Sequence, residues 1–332
     1  MPGTVARREP RRRLSWPVGA PPVGLHLGVG RGLLPAARRS RQIGARALQI
    51  FSDNPTAWRR RPEPPADADA FIAYAAREGI EAISIHASYL INLAGSAEPF
   101  ATRSREGLIV EMQRAPLYGA TLVNTHIGSH RGVGREVGLR RIVESVQAIL
   151  AASPPSIRLV LENSSGGGDL LGSQLEELAA ILEGVGSVGG ERLAFCLDTA
   201  HLWGAGYDIA RADGAAGVVD RFEALIGLDR LAMVHLNDSR SELGSRTDRH
   251  EHVGAGQIGA VGLGVLLRDP RLARTTFIME TPGADEGWDA VNLRRAWMLW
   301  NGAESLPVLP PKAFRTNRRS TRAAAPSGRG VG

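Results

Sequence analysis

Cysteine is almost absent from this chain of 332 residues, in which Cys196 is the single example. One cysteine can form neither an internal disulfide nor a cysteine zinc finger, so both classes are excluded. Long apolar runs are absent too, and no stretch reaches the about 20 residues of a membrane-spanning helix. Near the N-terminus, Pro17, Pro21 and Pro22 interrupt the segment where the apolar core of a secretory signal would lie. We therefore expect a cytoplasmic protein without a membrane partner.

Positive charge is concentrated at the two ends of the chain. Residues 1–20 contain five arginines and one glutamate, and residues 301–332 contain five arginines, Lys312 and Glu304. The total formal charge is +6, so the central part is net negative. Blocks of like charge at chain ends are usually solvated, which predicts disordered basic extensions over 1–20 and 303–332. They either have no role or bind DNA phosphates without sequence preference.

Eight short runs of apolar and β-branched residues recur along the central part, and almost every residue within each run is hydrophobic. Strands buried on both faces have this character. The predicted strands are Val23–Leu27, Ala47–Phe51, Ala82–His86, Thr121–His126, Arg158–Glu162, Leu193–Asp198, Leu231–Asn237 and Thr276–Glu280. Between them lie segments of helical period; the clearest is 173–184, where Ser173 and Glu176 fit a capping box. Strands alternating with helices over 21–302 predict an α/β fold, a single-domain (β/α)₈ TIM barrel.

Imidazole and carboxylate side chains collect where the predicted strands end. In a parallel barrel, all strand C-termini open on one face, where active sites are built. The residues at or just beyond these ends are His86, His126, Glu162, Asp198, His201, His235, Asp248, His250 and Glu280. Donors of nitrogen and oxygen without thiolate suit Zn²⁺, and also Mn²⁺ or iron. The pattern therefore predicts a metal site, although any one of these histidines alone is more often a hydrogen-bonded structural residue.

Nine ligands are too many for one ion and suit three, with one carboxylate bridging two of them. Asp248 and His250 are two residues apart, so an extended segment would place both side chains on one side. Clusters of this kind hydrolyse phosphodiesters, because metal ions lower the pKa of bound water and clamp the attacking and leaving oxygens. The spacing therefore favours a phosphodiester hydrolase.

Six segments of the chain resemble the signature motifs of endonuclease IV, also called deoxyribonuclease IV, a family in the xylose isomerase-like TIM-barrel superfamily. They are SIHASYLINL at 84–93, NTHIGSH at 124–130, LENSSG at 161–166, CLDTAHLWGAGYD at 196–208, VHLNDS at 234–239 and DRHEHVGAGQIG at 248–259. The resemblance extends from about Val23 to Trp300.

The resemblance implies a site of three zinc ions. The first would be held by His86, His126 and Glu162, the second by Glu162, Asp198, His235 and Glu280, and the third by His201, Asp248 and His250. Glu162 and Glu280 would be the catalytic residues that orient the attacking water. The DNA-binding residues would be Asn54, Trp58, Tyr89 and Leu90. Two positions depart from the family, since Thr56 replaces an arginine that enters the lesion and Ala255 replaces a glutamate.

The implied function is base excision repair: cleavage of double-stranded DNA on the 5′ side of abasic sites by a monomer that associates with the nucleoid through DNA. Two other classes stay open. A sugar isomerase or epimerase would need only Glu162, Asp198, His235 and Glu280, whereas the other five ligands exceed what one metal requires. A DNA-binding barrel without turnover is the third class, and Thr56 is the residue that keeps it open.

Overall fold

The computed structural model describes residues 13–61, 63–188 and 190–315. Its strands are β1 Val23–His26, β2 Ala47–Phe51, β3 Ala82–His86, β4 Leu122–His126, β5 Arg158–Glu162, β6 Leu193–Asp198, β7 Leu231–His235, β8 Asp238–Ser239, β9 His250–Glu251 and β10 Thr276–Met279. Eight of them form a closed parallel barrel in the order β1-β10-β7-β6-β5-β4-β3-β2, while β8 and β9 pair separately. The predicted TIM barrel is therefore confirmed, and every predicted strand ends within two residues of the observed one.

Helices cover the outside of the barrel. Within the described residues they are α1 Leu33–Ile43, α2 Ala68–Glu78, α3 Phe100–Arg114, α4 Arg135–Ala151, α5 Leu175–Val185, α6 Thr199–Ala205, α7 Ala212–Leu225, α8 Gly259–Arg268 and α9 Trp288–Trp300. Their apolar faces pack on the strands; in α5, for example, Leu175, Leu178, Ile181 and Val185 are buried at helical spacing. None of these helices is long and apolar enough to cross a membrane.

The predicted capping box of α5 is wrong by one residue. The helix begins at Leu175, and Gln174 and Glu177 form the box in place of Ser173 and Glu176. The reason is that the Glu177 carboxylate is buried and accepts hydrogen bonds from the backbone nitrogens of Gly172, Ser173 and Gln174, at 2.8, 3.0 and 3.3 Å. Glu176 points to solvent instead, where it pairs with an arginine of α7.

Side chains that point into the barrel change character along the strands. Near the strand starts they form a small apolar cluster that includes Ala47, Leu122, Val160, Ala194, Met233 and Ile278. Side chains alternate with period two along a strand, so the same face carries polar residues further along. These are Gln49, Asn124, His126, Glu162, Asp198, His235 and Glu280. The barrel interior is therefore apolar at its N-terminal end and polar at the C-terminal end.

Parts of the two predicted extensions pack on the barrel. Leu14 and Trp16 lie against the core, and the Trp16 indole donates to the Gly44 carbonyl at 3.0 Å. At the other end, Leu309 and Ala313 are buried. Apolar side chains on both sides of residues 21–302 therefore find partners on the barrel. Residues 1–12 and 316–332 lie outside the described part of the chain.

Candidate metal centre

The nine predicted ligands all lie at the C-terminal face of the barrel. His86, His126, Glu162, Asp198 and His235 are each the last residue of a strand, and Glu280 directly follows β10. His201 lies in the first turn of α6, whose N-cap Asp198 accepts a hydrogen bond from the His201 nitrogen at 2.9 Å. Asp248 precedes β9, which begins with His250. Six of the ligands thus lie at the ends of barrel strands, and the other three come from α6 and from the segment around β9.

His86, His126 and Glu162 form the first of three overlapping groups of histidines and carboxylates whose donor atoms lie close enough together to hold a metal ion. Nε2 of His86 lies 3.5 Å from one Glu162 oxygen, and Nε2 of His126 lies 3.6 Å from the other. The Asn124 amide donates to Glu162 Oε2 at 2.6 Å, which holds this buried carboxylate in place.

The second group is formed by Glu162, Asp198, His235 and Glu280. Nδ1 of His235 lies 3.4 Å from Glu162, 3.7 Å from Asp198 and 3.3 Å from Glu280. Three carboxylates thus converge on a single ring nitrogen. Glu162 belongs to both the first and second groups, so it has the position of a bridging ligand.

Asp198, His201 and His250 form the third group. Asp248 lies against it, with one oxygen 3.3 Å from Nε2 of His201 and the other 3.0 Å from Nε2 of His250. The expected convergence of Asp248 and His250 from one extended segment is therefore observed. Asp198 also approaches His250, at 3.5 Å, and so links this group to the second.

Three of the histidines are oriented by backbone carbonyls. In each, Nδ1 donates to a peptide oxygen: His86 to Ala87 at 2.8 Å, His201 to Asn163 at 2.9 Å and His250 to Glu280 at 3.1 Å. A carbonyl oxygen can only accept, so Nε2 of each ring is left for the site. Histidines that bind metals in proteins are held in this way by their second nitrogen.

Buried polar atoms without a partner test whether metal ions fit. Glu162 Oε1, His235 Nδ1 and His250 Nε2 are buried and make no hydrogen bond within the described structure. A buried donor or acceptor left unpaired costs about 1–3 kcal/mol, and more if it is charged. Because all three atoms point into the site from different strands or loops, metal ions that coordinate them would remove this cost. The residues present therefore fit a multinuclear metal centre.

Charges in the site favour cations. Burial raises the pKa of Glu162, but the neighbouring imidazoles of His235 and His126 outweigh it and hold that pKa well below its ordinary value. Burial lowers the pKa of His250, but Asp248 and Asp198 outweigh it and raise that pKa to about 10. Without metal, protonated histidines therefore balance the carboxylates. Metal ions would take over this role by displacing the protons.

Cys196 lies beneath the second group, where its sulfur is close enough to the ligand atoms of Glu162 and His235 to form a fourth group with them. It is fully buried in the barrel interior, two residues before Asp198. Burial, the largest influence, raises the pKa of its thiol to about 12. Because the thiolate is the form that binds metals, this favours the structural role.

Sequence reasoning missed several polar residues that hold the ligands. His26 Nδ1 lies 2.7 Å from Glu280 Oε1, and Gln49 contacts both Glu280 and His235. The Asn237 side chain donates to Asp198 at 2.7 Å and accepts from the Glu280 backbone nitrogen at 2.8 Å. Their signal in the sequence is a polar residue at an inward position near the end of a buried strand.

Tyr89 and Leu90 lie at the rim of the site, in the loop after β3. Tyr89 is 55% exposed, and its ring stacks against that of His126 with centroids 6.1 Å apart. Leu90 is half-buried. The Tyr89 backbone nitrogen and the Ser88 hydroxyl both donate to the Pro55 carbonyl, at 3.1 and 2.6 Å, so this loop is tied to the one after β2.

The loop after β2 carries the other two predicted DNA-binding residues. Asn54 is exposed, and its side-chain oxygen accepts from the Thr56 nitrogen and hydroxyl. Trp58 is half-buried against the core. Arg60, which could have replaced the missing arginine, instead forms an ion pair with buried Glu111 at 2.9 Å, and its side chain is only 9% exposed.

Comparison with known proteins agrees with this fold. Residues 37–298 match the family described as xylose isomerase-like TIM barrel. The chain is thus a xylose isomerase-like TIM barrel, and its C-terminal face carries a cluster of histidines and carboxylates that could hold metal ions.

Curated relatives show which family within the xylose isomerase-like TIM barrels the chain resembles. The chain is 37% identical over 286 residues to the probable endonuclease 4 of Chloroflexus aurantiacus, and the aligned segment covers 86% of this chain and 100% of the relative. It is 40% identical over 270 residues to that of Halorhodospira halophila, covering 81% and 90%. The crystal structure of endonuclease IV from Thermus thermophilus superposes with a TM-score of 0.72 and 38% identity, covering 84% of this chain and 99% of that one. The chain therefore belongs to the endonuclease IV family of enzymes, as its motifs predict.

Proposed function

We propose that the protein is a zinc-dependent endonuclease of base excision repair, which acts as a monomer on double-stranded DNA. It hydrolyses the phosphodiester bond on the 5′ side of an abasic site and leaves a 3′-hydroxyl and a 5′-deoxyribose phosphate. The observation that carries this proposal is the set of three overlapping metal-binding groups in a barrel of the endonuclease IV family.

Three Zn²⁺ ions are the proposed cofactors. His86, His126 and Glu162 hold the first, Glu162, Asp198, His235 and Glu280 the second, and His201, Asp248 and His250 the third. Nitrogen and oxygen ligands with open positions for water or substrate suit zinc, and Mn²⁺ is the second candidate. When bound, such ions activate water at neutral pH and neutralise the charge that develops on the phosphate.

The two catalytic carboxylates have different surroundings. Glu280 Oε1 accepts from Gln49 and His26, and Glu280 Oε2 lies toward His235. The Glu280 side chain is 17% exposed, whereas that of Glu162 is 1% exposed. We assign to Glu280 the orientation of the attacking water, because solvent reaches it, and to Glu162 the bridging of the first two ions.

DNA is proposed to lie across the loops after β2 and β3. A base or sugar must leave the duplex to reach a site inside a barrel mouth, so the enzyme has to flip the abasic nucleotide. In this proposal Tyr89, which is exposed, enters the gap in the base stack with Leu90, while Asn54 and Trp58 contact DNA from the adjoining loop. The bond from Tyr89 to Pro55 would let these loops act together.

A sugar isomerase or epimerase is the alternative within the same superfamily. It would use Glu162, Asp198, His235 and Glu280 around one metal. The group formed by Asp198, His201 and His250, with Asp248 against it, has no role in that reaction. This third group therefore favours the nuclease.

The proposal is tested by incision of a duplex that contains one tetrahydrofuran analogue of an abasic site. We expect a single cut on the 5′ side, close to three zinc ions by elemental analysis, and a fall in kcat of roughly a hundredfold or more for Glu280→Gln. Glu81→Gln is the matched control, because Glu81 lies at the opposite end of the barrel, where it pairs with Arg46. A wild-type protein that holds its metals but leaves this duplex intact would refute the proposal.

A further inference from the structure

Gln49 occupies the middle of β2 and is fully buried. In the barrel it lies beside His26 of β1 and Ser84 of β3. Neighbours at the same level of parallel strands point to the same side, so its amide enters the barrel interior, at the level of the polar residues.

The two ends of the Gln49 amide contact two ligands of the second metal-binding group. Nε2 lies 2.8 Å from Oε1 of Glu280, and Oε1 of Gln49 lies 3.2 Å from Nε2 of His235. A carboxylate can only accept, so the NH₂ end must face Glu280 and the carbonyl end must face His235. The Ser84 hydroxyl, at 3.4 Å, donates to the same carbonyl end.

This arrangement determines which atoms of the two ligands face each other. His235 must carry a proton on Nε2 to bond the Gln49 oxygen, so Nδ1 is the nitrogen that can offer a lone pair to a metal ion. Glu280 Oε1 is occupied by Gln49 and by His26 Nδ1, at 2.8 and 2.7 Å, which leaves Oε2. The two remaining atoms, His235 Nδ1 and Glu280 Oε2, lie 3.3 Å apart.

A proton or a metal ion must lie between these two atoms, because their lone pairs would otherwise repel each other. Two ligands on a tetrahedral zinc ion, with bonds of about 2.0–2.1 Å, have donor atoms about 3.4 Å apart. The observed separation thus matches a pair of ligands on one ion. His235 Nδ1 is also buried without a hydrogen-bond partner within the described structure.

We propose that Gln49 is a positioning residue for metal binding, which prepares His235 and Glu280 as a pair by holding both at once. It selects the imidazole tautomer through its carbonyl oxygen and the carboxylate rotation through its NH₂ group. The inference rests on the proposed function only for the identity of the metal as zinc. Gln49 itself does not coordinate the ion, because both ends of its amide are occupied by protein groups.

The experiment measures zinc affinity and content in purified Gln49→Met. Methionine keeps the length of the side chain and removes both hydrogen bonds. Partners that orient metal ligands are worth about 10–100-fold in affinity, so we expect one of the ions to be lost that much more readily to a competing chelator, while the others stay. The kcat should fall with little change in KM. Gln113→Met is the control, because its amide is exposed and bonds Ala152 far from the site.

Gln49→Asn is a second variant in which zinc affinity and content can be measured if the methionine variant does not fold. It retains a buried amide that is one methylene too short to reach both ligands, so we expect the same loss of one ion. A folded variant of either kind that holds all ions with wild-type affinity would overturn the inference. A wild type that binds its metals but does not cut the lesion duplex would refute the proposed function and leave the role of Gln49 standing.

Discussion

The described residues nearest the two basic ends contact opposite faces of the barrel, which leads to a prediction about DNA binding. The backbone nitrogen of Leu14 donates to the Ile43 carbonyl, and the Trp16 indole donates to the Gly44 carbonyl. Ile43 ends α1, directly before β2 begins at Ala47. Residue 13 therefore lies at the face where the strands start, away from the metal centre.

The other end reaches the opposite face. From the end of α9 the chain turns back along that helix, and Arg295 donates to the Pro307 carbonyl at 2.7 Å. The Ala313 carbonyl then lies 3.1 Å from Nε2 of His252, two residues beyond the ligand His250. The described chain thus ends, at residue 315, near the segment that carries the ligand His250.

Each terminal segment outside the described residues contains four arginines: Arg7, Arg8, Arg11 and Arg12 in 1–12, and Arg318, Arg319, Arg322 and Arg329 in 316–332. We predict that only the second set binds DNA phosphates. Each phosphate contact adds about 0.9 to the slope of log affinity against log salt, so replacing all four by glutamine should reduce the slope by up to about 3.6. The same replacement in the first set is the matched control and should leave the slope unchanged.

The assay is a salt titration of the dissociation constant on intact duplex, with single-turnover incision of the lesion duplex measured in parallel. Incision at saturating enzyme should be the same in both variants, because the arginines are not part of the site. Equal slopes in both variants and the wild type would refute the idea that the C-terminal segment touches DNA. A fall only in the N-terminal variant would refute the geometric reasoning.

Three further predictions concern binding and stability. Thr56→Arg should tighten binding to lesion duplex more than to intact duplex, because a guanidinium can stack on bases and bond several acceptors; Thr56→Lys adds only charge, and equal gains in both variants would contradict this. Removing metal with a chelator should lower the melting temperature, since buried ligand atoms such as Glu162 Oε1 and His235 Nδ1 would then lack a partner; an unchanged temperature would argue against structural coupling of the ions. Gly24→Ala should reduce the free energy of unfolding in urea by about 3 kcal/mol, because a Cβ there would lie 1.8 Å from the Ala47 carbonyl oxygen. Its control, Gly217→Ala on the open face of α7, should raise it by about 0.5–1 kcal/mol; equal effects would refute the steric argument.

Much of the metal centre could be predicted from the sequence because β-strands have a simple period. His86, His126, Glu162, Asp198 and His235 end buried runs, and the closure of parallel strands into a barrel brings such ends together whatever the details of packing. The same alternation marks Gln49 as inward-facing, two residues after Ala47. It does not reveal its partners, because His235 and Glu280 lie far away in the chain and the amide selects them only when the barrel closes.

Composition alone determined that the chain has two basic ends, a negatively charged centre and no disulfide framework. Only the tertiary structure decided which basic end begins near the metal centre, since that depends on how Trp16 and Ala313 dock on the barrel. It also decided that Arg60 is held by Glu111 and is unavailable to replace the arginine missing at Thr56. Local pattern specifies strands and their faces through backbone geometry, whereas pairing between distant polar groups depends on the distances that packing sets.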